Sequence, residues 1–186
     1  MSNTNEATYV VLKNVRLSYA KIWKPEAMEE GQEPKFSTSL IISKDDKANL
    51  TKIKDAVAAA KKQLVDKLGG KEPKGLKLPL RDGDEDREDT PGYAGAYFIN
   101  ASSKRKPEIV DGKREPITEE SRVYSGCFVN VSINFYPFDT KGNKGVAAGL
   151  GNIQLVKQGE PLGGTAKRAK DEFEEIEDAD DEDWMK

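Results

Sequence analysis

Histidine is absent from the sequence and cysteine occurs once, at Cys127. Without imidazole the chain cannot build a Ser-His-Asp or Cys-His nucleophile, a histidine general base or a His-Glu-x-x-His zinc site. A single thiol cannot close an intramolecular disulfide. Long apolar runs are missing too, since none approaches the ~20 residues that span a bilayer. The N-terminal Met-Ser-Asn-Thr-Asn-Glu lacks the basic-then-apolar pattern of a secretory signal. The expectation is a soluble protein of a reducing cytoplasm that needs no cofactor, no metal and no membrane.

What is present is charge, unevenly placed. The net charge over 186 residues is −3. Residues 171–186, however, hold ten acids and one base, a net −9, which leaves +6 on the rest. A second acidic run, Asp82 to Asp89, contains six acids and Arg87. A basic body suits a polyanionic partner, and a detachable acidic segment suits a different one. The length fits one domain of ordinary size, residues 1–164, followed by an acidic flexible tail, residues 165–186.

Along the chain, Val15, Leu17 and Tyr19 alternate with polar residues in a first strand over residues 8–23, and Phe36, Thr38, Leu40 and Ile42 do so in a second. Ser43 can cap a helix of about residues 45–68, with Asp45 and Asp46 in its first turn, Leu50, Ile53, Val57, Leu64 and Leu68 on one stripe, and Gly69-Gly70 as its stop. Residues 71–94 read as a long surface loop, 95–103 as a third strand, and 104–121 as a basic loop or irregular hairpin around Asp111-Gly112. The Gly- and Ala-rich stretch before Gly151 fits no element, residues 152–157 form a last strand, and 159–164 a linker.

The fourth strand, between Tyr124 and Phe138, is the most informative. Cys127, Val129, Val131, Ile133 and Phe135 take the odd positions, an inward face. The even positions carry Tyr124, Phe128, Tyr136 and Phe138 separated by glycine, asparagine and serine, with no charge. Such a face suits the stacking of unpaired bases, at about 1–3 kcal/mol per base, although packing by another element would use the same rings. Lys104, Arg105, Lys106, Lys113 and Arg114 precede this strand and Lys141 and Lys144 follow it, where they can neutralise phosphates beside the rings. Trp23 and Tyr19, with Lys21 and Lys24, repeat the mixture and are secondary candidates, Tyr19 lying on the apolar parity of its strand. The run Asp82, Asp84, Glu85, Asp86 could serve a metal-dependent nuclease, but it lacks the spaced ligands and closing Glu of a calcium loop and reads more simply as a solvated acidic loop. The tail ends on Asp180, Asp181, Glu182, Asp183 and Trp184, an acidic peptide with an apolar tip suited to a basic, apolar pocket on a partner or to the protein's own basic groove. If nucleic acid is not the ligand, a tail-borne adaptor role remains.

Four segments in order, Gly95 to Lys104, Pro116 to Glu120, Val123 to Val131 and Gly142 to Leu150, resemble a family of bacteriophage single-stranded DNA-binding proteins. The resemblance implies an OB-fold-like five-stranded β-barrel, mainly β with one or more helices, and sequence-independent binding of unpaired DNA in phage replication or recombination, inside the host cytoplasm. It also implies a tail that recruits replication or recombination proteins, although this one places Trp184 before Met185 and Lys186 where the common pattern ends on Phe. Oligomeric state is left open, with a dimer as one option. The usual OB-fold helix lies between strands three and four, whereas the helix expected here follows the second.

Overall fold

The computed structural model describes residues 7–27, 29–140, 142–162 and 173–176. Its strands are β1 (Tyr9–Glu26), β2 (Lys35–Ser43), β3 (Leu80–Asp82), β4 (Ala96–Ser103), β5 (Ile109–Val110), β6 (Phe128–Thr140) and β7 (Asn143–Lys157). One long helix, α1 (Lys47–Lys67), and a single turn, α2 (Gly83–Asp86), interrupt them. None of the helices described is long and apolar enough to cross a membrane.

Five strands close into a barrel. The hydrogen-bonded order runs β4-β2-β1-β6-β7, and β7 returns to β4 through the parallel pairs Ala101↔Ala148 and Ser102↔Gly149. Closure removes the free edges that an open sheet of this length would expose. Alternation along each strand fills the interior, with Leu40 and Ile42 from β2, Ile99 and Ala101 from β4, and Val129, Val131, Ile133 and Phe135 from β6 all buried. The odd face of β6 is thus core, as its spacing predicts. β3 and β5 extend the sheet outside the barrel, β3 on β4 and β5 on β7.

The unassigned Gly- and Ala-rich stretch is part of β7, which runs unbroken through it. Small residues are needed there because other backbone passes close by. A Cβ on Gly145 would collide with the Lys77 carbonyl, and one on Gly151 with the Ser132 hydroxyl.

α1 falls between the second and third barrel strands, as the order of elements in the sequence indicates, and packs on β1, β6 and β7. Its cap is Asp46, whose carboxylate accepts the Asn49 N–H, and not Ser43, whose hydroxyl accepts the Asp45 N–H in the preceding turn. The buried stripe also shifts. Ala56 and Ala60 are buried beside Leu50, Ile53 and Leu64, while Val57 and Leu68 are only half-buried. Alanine at the contact lets the helix axis lie close to the strands, which the wider apolar spacing did not reveal.

Two loops are more structured than their composition suggests. Residues 71–94 contain β3 and α2. Residues 159–162, the described part of the stretch expected as a linker, lie as a strap across the outer surface. The Gly159 carbonyl accepts the Tyr124 hydroxyl at 2.8 Å, the Glu160 carbonyl accepts from Arg16 at 2.7 Å, and the Leu162 N–H donates to the Ser125 carbonyl at 3.0 Å. Glycine at 126 and 159 makes the approach possible, since a Cβ on Gly126 would strike the Glu160 carbonyl and one on Gly159 the Gly126 carbonyl. Leu162 then packs with Ile41, Tyr93, Ala96 and Phe98 in a second apolar cluster on the outside of β2 and β4.

Candidate nucleic-acid interface

β1 bends where its pairing slips. Register with β6 breaks between Leu12 and Val15, and register with β2 breaks between Ser18 and Lys21. Each break holds a non-glycine residue in the left-handed region, Asn14 at φ 54° and Tyr19 at φ 47°. Such a conformation is uncommon for a tyrosine and persists only where its surroundings hold it. The extra residue of the second bulge reverses the parity of the strand. Val15 and Leu17 face the core and Ile22 does so again, but Tyr19 between them is 54% exposed. Sequence alternation placed it inward, and the bulge overturns that placement.

Against Tyr19 lies Arg87, the one base of the acidic run. Its guanidinium carbon stands 5.0 Å from the Tyr19 ring centroid, 5.0 Å from that of Tyr93 and 4.3 Å from that of Phe98. It also donates to the Tyr93 hydroxyl at 2.7 Å and to the Ser39 hydroxyl at 3.1 Å. Three of the acids around it, Asp82, Asp84 and Asp86, are held. Lys44 lies 2.9 Å from Asp82 and 2.8 Å from Asp84, and Asp84 also accepts the Gly95 N–H. The hydrogen bond from Lys44 lowers both carboxyls below the ordinary aspartate range, and the same bonds raise the Lys44 ammonium above the usual lysine range. Asp86 pairs with Arg81. An ammonium therefore sits where a nuclease would need a cation, and among the described residues no cluster of three or more His, Cys, Asp or Glu is arranged to hold a metal.

Beside Tyr19 and Arg87 opens a groove of about 640 Å³ along the outer face of β2 and β4. The pairs Ser37↔Ser102 and Ser39↔Asn100 put small polar groups on its floor, and the Ser39 hydroxyl donates to the side-chain amide oxygen of Asn100. Lys21, Lys35 and Lys104 line its sides together with Glu26 and Glu33. Lys21 pairs with Glu26 at 3.5 Å and Lys104 with Glu33 at 2.9 Å. A strip of neutral donors and acceptors flanked by ammonium groups, with an open ring at one end, matches the chemistry of an unpaired strand: bases inward, phosphates at the sides.

The ring residues expected on β6 have different surroundings. Tyr124 precedes the strand and lies under the strap, packed on the core. Phe128 is flanked by Arg16 at 5.4 Å and Lys157 at 4.8 Å, with Gly159 against its edge. Tyr136 is 42% exposed and Phe138 half-buried on the β6–β7 hairpin. Of the basic candidates, Lys104 lines the groove, Arg105 is exposed next to it in sequence, and Lys106 lies 5.7 Å over the ring of Trp23. Trp23 is half-buried, its indole N–H donating to the Val123 carbonyl. Lys113 and Arg114 stand on the turn after β5, closed by Asp111, and Lys144 is on the hairpin beside Asp139. Lys141 and the tail residues Asp180, Asp181, Glu182, Asp183 and Trp184 lie outside the described residues. Sequence reading missed Arg87, Ser39 and Asn100. A lone base inside an acidic run was the available signal for the first, while the other two carry none.

Residues 8–185 match the family described as Enterobacter phage Enc34, ssDNA-binding protein. "Putative protein p50" of Acyrthosiphon pisum secondary endosymbiont phage 1 is 30% identical over 186 residues, spanning 95% of this chain and 98% of the relative. The structure of the single-stranded DNA-binding protein from bacteriophage Enc34 in complex with ssDNA aligns at 29% identity with a TM-score of 0.76, covering 85% of this chain and 91% of that one. The structure of gp2.5, a single-stranded DNA-binding protein encoded by bacteriophage T7, aligns at 16% identity and a TM-score of 0.58, over 91% and 95% of the two chains, a likeness of fold alone. The closed five-stranded barrel and the match along almost the whole sequence place this chain in the Enc34 family of phage single-stranded DNA-binding proteins.

Proposed function

We propose that the protein binds single-stranded DNA, without sequence preference, in the groove over β2 and β4, and protects unpaired phage DNA during replication or recombination. Membership of the family supports the ligand. The observation that carries the site is the groove itself, which lies on the barrel face formed by the second and third barrel strands, the face with which OB-folds take up oligonucleotides. Its floor is neutral and polar, its sides bear Lys21, Lys35 and Lys104, and Tyr19 presents an open ring at its end. Arg105, Lys106 and Trp23 extend this surface at the Lys104 side. Tyr136, Phe138 and Lys144 of the β6–β7 hairpin, Lys141, and Lys113 and Arg114 of the separate turn after β5 meet DNA where the strand continues past the groove. Tyr124 and Phe128 join them only if the strap lifts.

No step in this reading requires proton transfer, so the protein acts as a binder and not as an enzyme. The acidic tail, ending on Asp180, Asp181, Glu182, Asp183 and Trp184, serves to recruit replication or recombination enzymes. Its −9 charge and apolar tip support that assignment.

Titration of labelled oligonucleotides tests the reading. Single strands bind more tightly than duplex at moderate salt, and log K falls with log salt at about 0.7 per neutralised phosphate. Equal affinity for both forms, or a flat salt response, would defeat it. The absence of any nucleic-acid binding would favour an adaptor.

A further inference from the structure

The acidic run Asp82–Asp89 is not absorbed by the binding reading, yet its first half is tethered at several points. Asp82 accepts the Asp84 N–H, Lys44 bridges both carboxylates, Asp84 accepts from Gly95, and Arg81 holds Asp86. Gly83 is buried so tightly that a Cβ would strike the Tyr93 and Ala96 carbonyls. Everything in this arrangement fixes one short turn, and the turn delivers Arg87, whose N–H closes it on the Gly83 carbonyl.

Arg87 in turn fixes Tyr19. Its planar guanidinium lies among the Tyr19, Tyr93 and Phe98 rings, a stacking geometry that lysine cannot reproduce. Tyr19 is strained at φ 47° and 54% exposed, so one side of its ring rests on the cation and the rest is open to the groove. A ring held in advance spares an incoming base the cost of ordering it.

We propose that Tyr19, backed by Arg87, is a base-stacking position of the groove, and that Lys44, Asp82 and Asp84 are the positioning residues that set Arg87 behind it. The proposal rests on the groove being the DNA site. It assigns the acidic run a structural purpose, opposite in sign to the ligand but essential to the one cation it places there.

The test uses the full chain and two probes of equal length, an oligothymidylate and an abasic strand with the same phosphates. Their affinity ratio reads stacking apart from charge. Tyr19→Ala lowers oligothymidylate affinity by about 5- to 150-fold, the range for one stacked base, and leaves the abasic strand within about twofold. Arg87→Lys, which keeps the charge, lowers the ratio severalfold with the same salt slope. Lys44→Met does likewise, and Lys44→Arg, which restores the ion pairs, recovers the ratio. Thermal melting of each variant confirms the fold. Unchanged ratios in Tyr19→Ala and Arg87→Lys, or an equal loss on both probes, overturn the proposal while leaving the groove as the DNA site. A wild-type protein that binds neither probe overturns the proposed function itself.

Discussion

Two of the lysines along the groove are occupied in the free protein. Glu26 lies 3.5 Å from Lys21 and Glu33 lies 2.9 Å from Lys104, and all four side chains are at least a third exposed, Lys21 the least at 34%. A phosphate entering between them must displace a carboxylate before it gains an ammonium. Exposed pairs of this kind are worth about 0.2–1 kcal/mol each. Changing both acids to glutamine therefore removes an opposing term of about 0.4–2 kcal/mol, a two- to thirtyfold gain in affinity at low salt. The gain has a signature beyond its size. In the native chain each freed carboxylate regains a counterion, offsetting part of the counterion release from DNA. The double variant loses that offset, so its salt slope steepens, by at most about 1.4 for two phosphates on a single strand, and its advantage fades as salt rises. Fluorescence anisotropy with a labelled oligothymidylate across a salt series measures both quantities. Affinity equal to or below that of the native chain, with an unchanged slope, would refute the idea that DNA passes between these pairs.

Other consequences follow from the same geometry. Truncation after Lys170 removes a −9 segment that follows the strap, which reaches Leu162 beside Tyr93 and Phe98; melting should stay unchanged and single-strand affinity should hold or rise, and a clear loss of affinity would contradict this. Gly126→Ala forces a side chain at φ 119° into the Glu160 carbonyl; urea denaturation should show a loss of about 1–3 kcal/mol, with no loss if the strap is loosely held. Asp82 and Asp84 titrate below their ordinary range in the folded chain, so their contribution is present above about pH 4 and declines as pH falls through the lowered values. Asp82→Asn with Asp84→Asn should thus be less stable at neutral pH and show a flatter acid limb in thermal melts, and parallel acid limbs would contradict the assignment. Lys44, raised by the same bonds, adds its share below its ordinary range and loses it only as pH climbs through the raised value.

Much of the barrel is legible in the sequence because it obeys simple periods. The odd positions of β6, the alternation of β2 and three of the five stripe positions of the long helix, Leu50, Ile53 and Leu64, lead to buried residues. Departures occur where a local irregularity changes the period or where distant backbone comes close. The bulge at Ser18–Lys21 reverses the parity of Tyr19, turning a secondary candidate on the apolar parity into the open ring of the groove. Gly145 and Gly151 lie in a strand because other segments press on it, and glycine content by itself argues for a turn. The strap over Tyr124 and Phe128 depends on hydrogen bonds between residues 35 to 144 positions apart, which no local pattern encodes. The acidic run illustrates the same point in charge: a lysine 38 positions from Asp82 pairs with two of its aspartates, so its composition resembles a metal loop while its geometry is a bracket.

The most direct measurement is photocrosslinking of the full-length protein to a single strand carrying halogenated uracils, with the adducts located by mass spectrometry. Adducts at Tyr19, with further ones near Trp23, are the predicted result, because Tyr19 lines the β2–β4 groove and Trp23 lies under Lys106, two residues past the groove-lining Lys104. Adducts confined to Tyr136 and Phe138, with none at Tyr19, would contradict the central claim and move the DNA to the face of β6.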